Sequence, residues 1–129
     1  MILLLDTSEG LCRLTLDIAP EQRHVVEWQA DRELARGLLQ FIVDTLKQYE
    51  LTVQDVTGIG LFRGPGSFTG LRIGAATMNT IAASQDIAIV GAIGDEWQND
   101  AIERLRAGEN DRIVLPEYGR DARITSPRK

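Results

Sequence analysis

One cysteine and one histidine are all that this chain of 129 residues offers to thiol or soft-metal chemistry. A lone Cys12 forms no internal disulfide, and its place in an apolar run makes it a small core residue. The lone His24 falls inside a strand-like run and is read as a strand residue on a polar or edge face. With no His-Glu-x-x-His and no Cys/His ligand cluster, a zinc peptidase has no ligands here. No base is present to activate a serine, so Ser67 is read as a helix-start residue able to bond free N–H groups. No run approaches the ~20 apolar residues that a membrane span requires. Met1 to Leu5 passes straight to Asp6, without the basic start of a signal peptide. A cytoplasmic protein with no membrane partner is therefore expected. Positive charge is scarce as well, the formal net charge being −5. That balance opposes a surface-wide nucleic-acid platform, which needs clustered Lys and Arg. The local exception is the C-terminal end, where Arg120, Arg123, Arg128 and Lys129 face only Asp121. It reads as a solvated terminus, with contact to a nucleic acid or a partner as the alternative.

What is present organises itself as one α/β domain over residues 1–110 followed by a partly irregular tail over 111–129. The length suits one such domain with a real core and is too short for two. Ile2 to Leu5 is a continuous apolar run, Leu11 to Ile18 alternates in part, and Arg23 to Trp28 carries Val25, Val26 and Trp28. Glu9-Gly10 and Ala19-Pro20-Glu21-Gln22 mark the turns between them, which predicts an antiparallel three-strand meander. Asp31 is placed to cap the next element, where Leu34, Leu38, Phe41, Ile42, Leu46 and Tyr49 follow a helical stripe. Then a strand at Val56 to Phe62, a helix at Phe68 to Ser84, a strand at Ile87 to Gly91 and a helix at Asp95 to Arg106 alternate as in βαβ units. Asp95 and Glu96 suit the N-terminal dipole of that last helix. Ile113 to Leu115 is expected to add a short strand. The order is β-β-β-α-β-α-β-α.

The segment Gly64-Pro65-Gly66-Ser67-Phe68-Thr69-Gly70-Leu71-Arg72-Ile73-Gly74 joins a buried strand to a helix through a glycine-rich turn. Such a turn delivers unpartnered N–H groups and positive dipole charge at a helix start, which is a chemistry for anions. It is not a Walker A loop, because no Lys-Ser or Lys-Thr pair closes it. Nor is it G-x-G-x-x-G, because Thr69 stands where the third glycine belongs. The competing reading is a tight connection whose glycines let the helix pack closely. Asp6, Thr7 and Ser8 end the first strand and present a carboxylate and two hydroxyls. They suit a phosphate or metal, or a strand end capping its own turn.

That long glycine-rich motif, preceded by Ile2-Leu3-Leu4-Leu5-Asp6-Thr7-Ser8, resembles the TsaB family, which serves in threonylcarbamoyladenosine modification of tRNA. The similarity runs from Met1 to about Gly91. It implies a ribonuclease-H-like domain of the actin, sugar kinase and Hsp70 type, with which the element order agrees. It also implies that this chain is an inactive relative of the TsaD-type catalytic subunit and binds it, carrying no catalytic residue and no cofactor. The partner would transfer the threonylcarbamoyl group to adenosine 37 of tRNA, with ATP handled by the partner and a TsaE-type ATPase. This chain would then meet tRNA only indirectly. Asp6, Thr7, Ser8, Gly64, Gly66, Ser67 and Thr69 would be a vestigial phosphate loop. Members of the family usually carry a second domain after the position of Gly91. Here Leu115-Pro116-Glu117-Tyr118-Gly119-Arg120, similar to the family's closing segment, follows closely, so the second domain is read as absent.

In the second helix Gly70, Gly74 and Met78 recur every four residues beside Ile73, Thr77 and Ile81, a face of little bulk that another helix can approach. The same spacing equally serves tight packing on the chain's own sheet. The first helix adds Ala35, Gly37, Leu39 and Val43 to its stripe, leaving more apolar surface than one core face requires. By the resemblance, positions 34 to 46 and 70 to 81 meet the TsaD-type subunit, or a second copy, as a four-helix bundle. The candidate interface is thus Leu34, Leu38, Phe41, Ile42, Gly70, Ile73, Gly74, Thr77, Met78 and Ile81. The family often shows His-Ser-x-x-Leu in the first helix, whereas this chain reads Leu34-Ala35-Arg36-Gly37-Leu38. Trp97 is expected on the domain edge that a second domain would cover. Two other functions fit the residues: a nucleotide-binding enzyme or sensor, with Asp6 and the loop completed across a dimer, or a homodimeric interaction module.

Overall fold

A computed structural model describes residues 1–20 and 22–117 of the chain. Three strands, β1 (Ile2–Asp6), β2 (Leu11–Ala19) and β3 (Gln22–Gln29), form the expected antiparallel meander. After them come α1 (Leu34–Gln48), β4 (Gly58–Phe62), α2 (Phe68–Gln85), β5 (Ala88–Ala92) and α3 (Trp97–Arg106). The sheet order is β3-β2-β1-β4-β5, with β4 parallel to β1 and β5 parallel to β4. The apolar run of β1 fits this central place, for Leu3, Leu4 and Leu5 are each fully buried and need cover on both faces. β3 alternates half-buried with exposed residues, as an edge strand covered on one face does.

One face of the sheet carries α1 and α2. There Leu3, Leu5, Leu14, Leu16, Ile59 and Leu61 pack with Leu38, Ile42, Leu46 and Met78. The other face carries α3, where Leu4 and Val90 meet Trp97, Ala101 and Ile102. α3 lies close because β4 has no bulk below it: a Cβ at Gly60 would stand 2.8 Å from that of Ala101. Asp86, at φ 55°, ends α2 in the left-handed conformation, and the Ile87 N–H turns back to the Ala82 carbonyl.

The structure departs from expectation at four places. Asp31 does not cap α1. It belongs to a single 3₁₀ turn, Asp31–Glu33, and its carboxylate accepts from Gln29 Nε2 at 2.9 Å. Val56 precedes β4 rather than opening it, because a second 3₁₀ turn, Val53–Asp55, takes up the chain just before it. Ile113 to Leu115 forms no strand, since Val114 exchanges both backbone groups with the Asn79 side chain and drops into the core instead. Trp97 is 8% exposed and lies in the layer between α3 and the sheet, its ring 5.6 Å from Phe62, not on an uncovered edge. The basic residues Arg120, Arg123, Arg128 and Lys129, together with Glu21 and Tyr118 onward, lie outside the described residues.

Candidate functional site

At the C-terminal end of β1 the candidate loop residues meet one another. The Asp6 carboxylate accepts from the Ser8 N–H at 2.8 Å and from the Ser8 hydroxyl at 2.6 Å, so it caps the turn that follows its own strand. The Thr7 hydroxyl, fully buried, donates to the Gly70 carbonyl at 2.8 Å. The Ser67 N–H donates to the Ser8 carbonyl at 2.7 Å, and the Ser67 hydroxyl accepts from Gly70 N–H at 3.1 Å as the N-cap of α2. Strand end and loop are thereby stitched together.

The glycines explain how closely. A Cβ on Gly66 would lie 2.5 Å from Ser8 Cβ and 2.7 Å from its carbonyl oxygen. On Gly70 it would strike the Thr7 carbonyl, and on Gly74 the Thr7 hydroxyl. Gly64, at φ 119°, holds a conformation that disfavours a side chain. Thr69 is exposed on the first turn of α2. The loop's glycines thus bring α2 down onto the end of β1, where Asp6 Oδ1, the Ser8 hydroxyl and the Ser67 hydroxyl are each hydrogen-bonded within the chain.

The helical candidates divide by burial. Leu34, Leu38, Ile42, Gly70, Gly74, Met78 and Ile81 are buried within the chain, where α1 and α2 turn them toward the sheet and each other. Phe41, Ile73 and Thr77 are half-buried, Phe41 with its ring 5.2 Å from Trp28. What remains outside is a groove of about 580 Å³ between the two helices, lined by Leu39, Ala76, Thr77, Thr80, Ile81 and Ser84 among others. Leu39 is 55% exposed there, and Val43, one turn further along the same helix, 39%. The extra apolar residues on α1 are among those read from the sequence, and Ala76 and Thr80 are not. Their signal was available, being a row spaced by four that is offset from the glycine row.

The lone thiol and the lone imidazole both pack against other parts of the chain. Cys12 is fully buried, and burial with the nearby Asp6 carboxylate pushes its thiol up to about 12. His24 stacks on Tyr49 at 4.7 Å at the edge strand. Among the described residues no group of three or more His, Cys, Asp or Glu gathers to hold a metal ion, and no helix is long and apolar enough to cross a membrane.

Three comparisons bear on this geometry. The chain is 34% identical over 109 residues to a Haemophilus influenzae protein named tRNA threonylcarbamoyladenosine biosynthesis protein TsaB, a match covering 84% of this chain and 46% of that one. A protein of the same name from Escherichia coli is 26% identical over 127 residues, covering 84% of this chain and 55% of the relative. The chain thus spans about half the length of the curated relatives it matches. Among solved structures, YeaZ from Pseudomonas aeruginosa superposes with a TM-score of 0.65 at 27% identity, over 71% of this chain and 43% of that one. The likeness agrees with the ribonuclease-H-like α/β class expected from the element order. Residues 16–92 match the model of the family described as TsaD: tRNA N6-adenosine threonylcarbamoyltransferase, and the chain belongs to that family, with curated relatives that carry the name TsaB.

Proposed function

We propose that this chain serves threonylcarbamoyladenosine modification of tRNA as a non-catalytic subunit, binding a TsaD-type catalytic subunit along the outer groove of α1 and α2. The observation that carries the reading is the contrast between the two candidate sites. At the end of β1, Asp6, Thr7, Ser8 and Ser67 are engaged with one another and the glycines are filled by close contact. Between the helices an open, largely apolar groove is flanked by Leu39 and Val43, which the chain leaves exposed. A groove of that kind receives a helix laid along it, with small residues such as Ala76 letting the backbones approach. The catalytic step then belongs to the partner, with ATP bound by it and by a TsaE-type ATPase, and tRNA reached through the complex. The chain acts by binding the active arrangement of its partner more tightly than the inactive one.

The test is the mass in solution of the chain mixed with the TsaD-type protein of the same genome. A stable complex is expected, and Leu39→Glu should abolish it, because a carboxylate would be buried unpaired in the groove. Leu39 is exposed in the free chain, so the variant should keep the wild-type circular dichroism and melting temperature. No association of the wild type, or undiminished association of the variant, refutes the placement.

A further inference from the structure

The two edges of the sheet are treated differently. Along β5 the outward backbone groups are closed by a clasp from the segment after α3. Asn110 Oδ1 accepts from Ile89 N–H at 3.1 Å and the Asp111 N–H donates to the Ile89 carbonyl at 2.8 Å. Asp111 Oδ2 accepts from Gly91 N–H at 2.9 Å, and Arg104 donates to the Gly91 carbonyl at 2.8 Å and to Asp111 at 2.5 Å. Side chains thus stand where another strand would pair. At the opposite edge, no hydrogen bond among the described residues reaches the outward backbone groups of β3. That strand is eight residues long and contains no proline. An open edge of this length is a template for a further strand.

We propose that β3 pairs antiparallel with β3 of a second copy of this chain, about a two-fold axis at Val25. The run Arg23-His24-Val25-Val26-Glu27 is complementary to itself in that register. With Val25 opposite Val25, Arg23 of each copy faces Glu27 of the other, and all three residues point to one face of the sheet, away from α1. A centre at His24 opposes Arg23 to Val25, and a centre at Val26 opposes Glu27 to Val25, so neither pairs the charges. Within one copy Arg13 lies opposite Glu27 with an ion pair at 2.8 Å, and Asp17 lies opposite Arg23 with one at 3.2 Å. The proposed register therefore sets Arg13 and Glu27 of one chain in line with Arg23 and Asp17 of the other. Charge alternates in sign across four strands, and the symmetry repeats the row. Glu27 accepts from Arg13 through one carboxylate oxygen, and the other has no partner among the described residues. Val25, 57% exposed in the single chain, meets its own copy on the axis. The outer groove of α1 and α2 takes no part, so this inference stands apart from the partner-binding reading.

Sedimentation equilibrium across a dilution series of the chain tests it. The wild type should approach twice the chain mass at the concentrated end. Val25→Lys and Val25→Glu each set like charges against each other on the axis. Both should weaken self-association roughly tenfold or more. Circular dichroism should show both variants folded, because the position is exposed. Mixed in equal amounts, the two should restore the dimer, since Lys then faces Glu. A monomeric wild type at every concentration overturns the proposal, as do variants that dimerise like the wild type, or a mixture that stays monomeric. Loss of the dimer with Leu39→Glu, while the Val25 variants keep it, would assign self-association to the helices instead and overturn it too.

Discussion

Placing a single methyl group on α2 probes the glycine loop, because two glycines one helical turn apart, Gly70 and Gly74, meet the same residue by different atoms. In Gly70→Ala the new Cβ strikes the Thr7 carbonyl oxygen, which belongs to the backbone at the end of a central strand. The helix interior gains about 1 kcal/mol when Gly becomes Ala. Against this, forcing buried backbones apart costs about 1–3 kcal/mol, and the shift weakens the Thr7 hydroxyl's bond to the Gly70 carbonyl, worth about 1 kcal/mol. The expected net loss is about 1–3 kcal/mol. In Gly74→Ala the Cβ strikes the Thr7 hydroxyl, a side-chain atom that a second substitution removes. Thr7→Ala should therefore rescue Gly74→Ala, the pair showing a favourable coupling of about 1 kcal/mol or more in a double-mutant cycle. It should not rescue Gly70→Ala, whose obstacle is backbone. Urea denaturation of the wild type and the five variants, read by circular dichroism, measures each term. A Gly70→Ala protein as stable as the wild type, or one rescued by Thr7→Ala as fully as Gly74→Ala is, would refute the reasoning. A bulky residue at 74 is expected to melt the chain itself, which is the outcome of a core position and not of a free interface.

Three further outcomes follow from the core and the β5 edge. The Cys12 thiol, held up at about 12 against an ordinary 9.0, is protonated in the fold throughout the neutral and mildly alkaline range, so an alkylating reagent should label it only after unfolding. Its raised value stabilises the fold below the thiol's ordinary pKa, and that contribution is lost as pH rises from 9.0 towards 12; Cys12→Ala should remove this part of the alkaline decline, as read by the urea midpoint against pH. Asp111→Ala leaves the Gly91 N–H without its acceptor and Arg104 without one carboxylate. Amide hydrogen exchange at Gly91 should accelerate markedly while that of β1 changes little, and equal protection at Gly91 would show that the clasp does not close the edge.

The element order was legible because apolar runs and helical stripes are local signals, and β1 to α3 each carry one. What escaped was set by contacts far apart in sequence. Nothing near Ile113 announces that Val114 will bond to Asn79 in preference to a strand partner. The clasp on β5 joins Arg104 to backbone 13 residues away, and Asn110 and Asp111 to backbone 21 and 20 residues away, and leaves no periodic trace. Asp31 misled for the opposite reason, since a residue type that suits a cap also suits a turn, and φ 46° with a side chain bonded to Gln29 decided for the turn. At the end of β1 the singled-out residues come together, with one another as partners. A sequence shows which oxygens exist but not that Ser8 and Gly70 already use them.

A partner docked as proposed needs surface that α1 and α2 leave outside, and their most regular apolar rows do not supply it. A helix that covers a sheet turns its most regular apolar row inward, so the strongest periodicity in α1 and α2 marks the core: Leu34, Leu38 and Ile42, and Gly70, Gly74 and Met78. Surface for another molecule must lie on rows displaced around the helix. Leu39 and the exposed Val43 are four apart on α1, and Ala76 and Thr80 four apart on α2; Leu39, Ala76 and Thr80 line the groove. Bulk added at Ala76 therefore blocks a docked helix while leaving the sheet-facing row untouched, whereas bulk added at Gly74 acts first on Thr7. Perturbations at the two positions separate loss of binding from loss of fold, and only the displaced row can report on a partner.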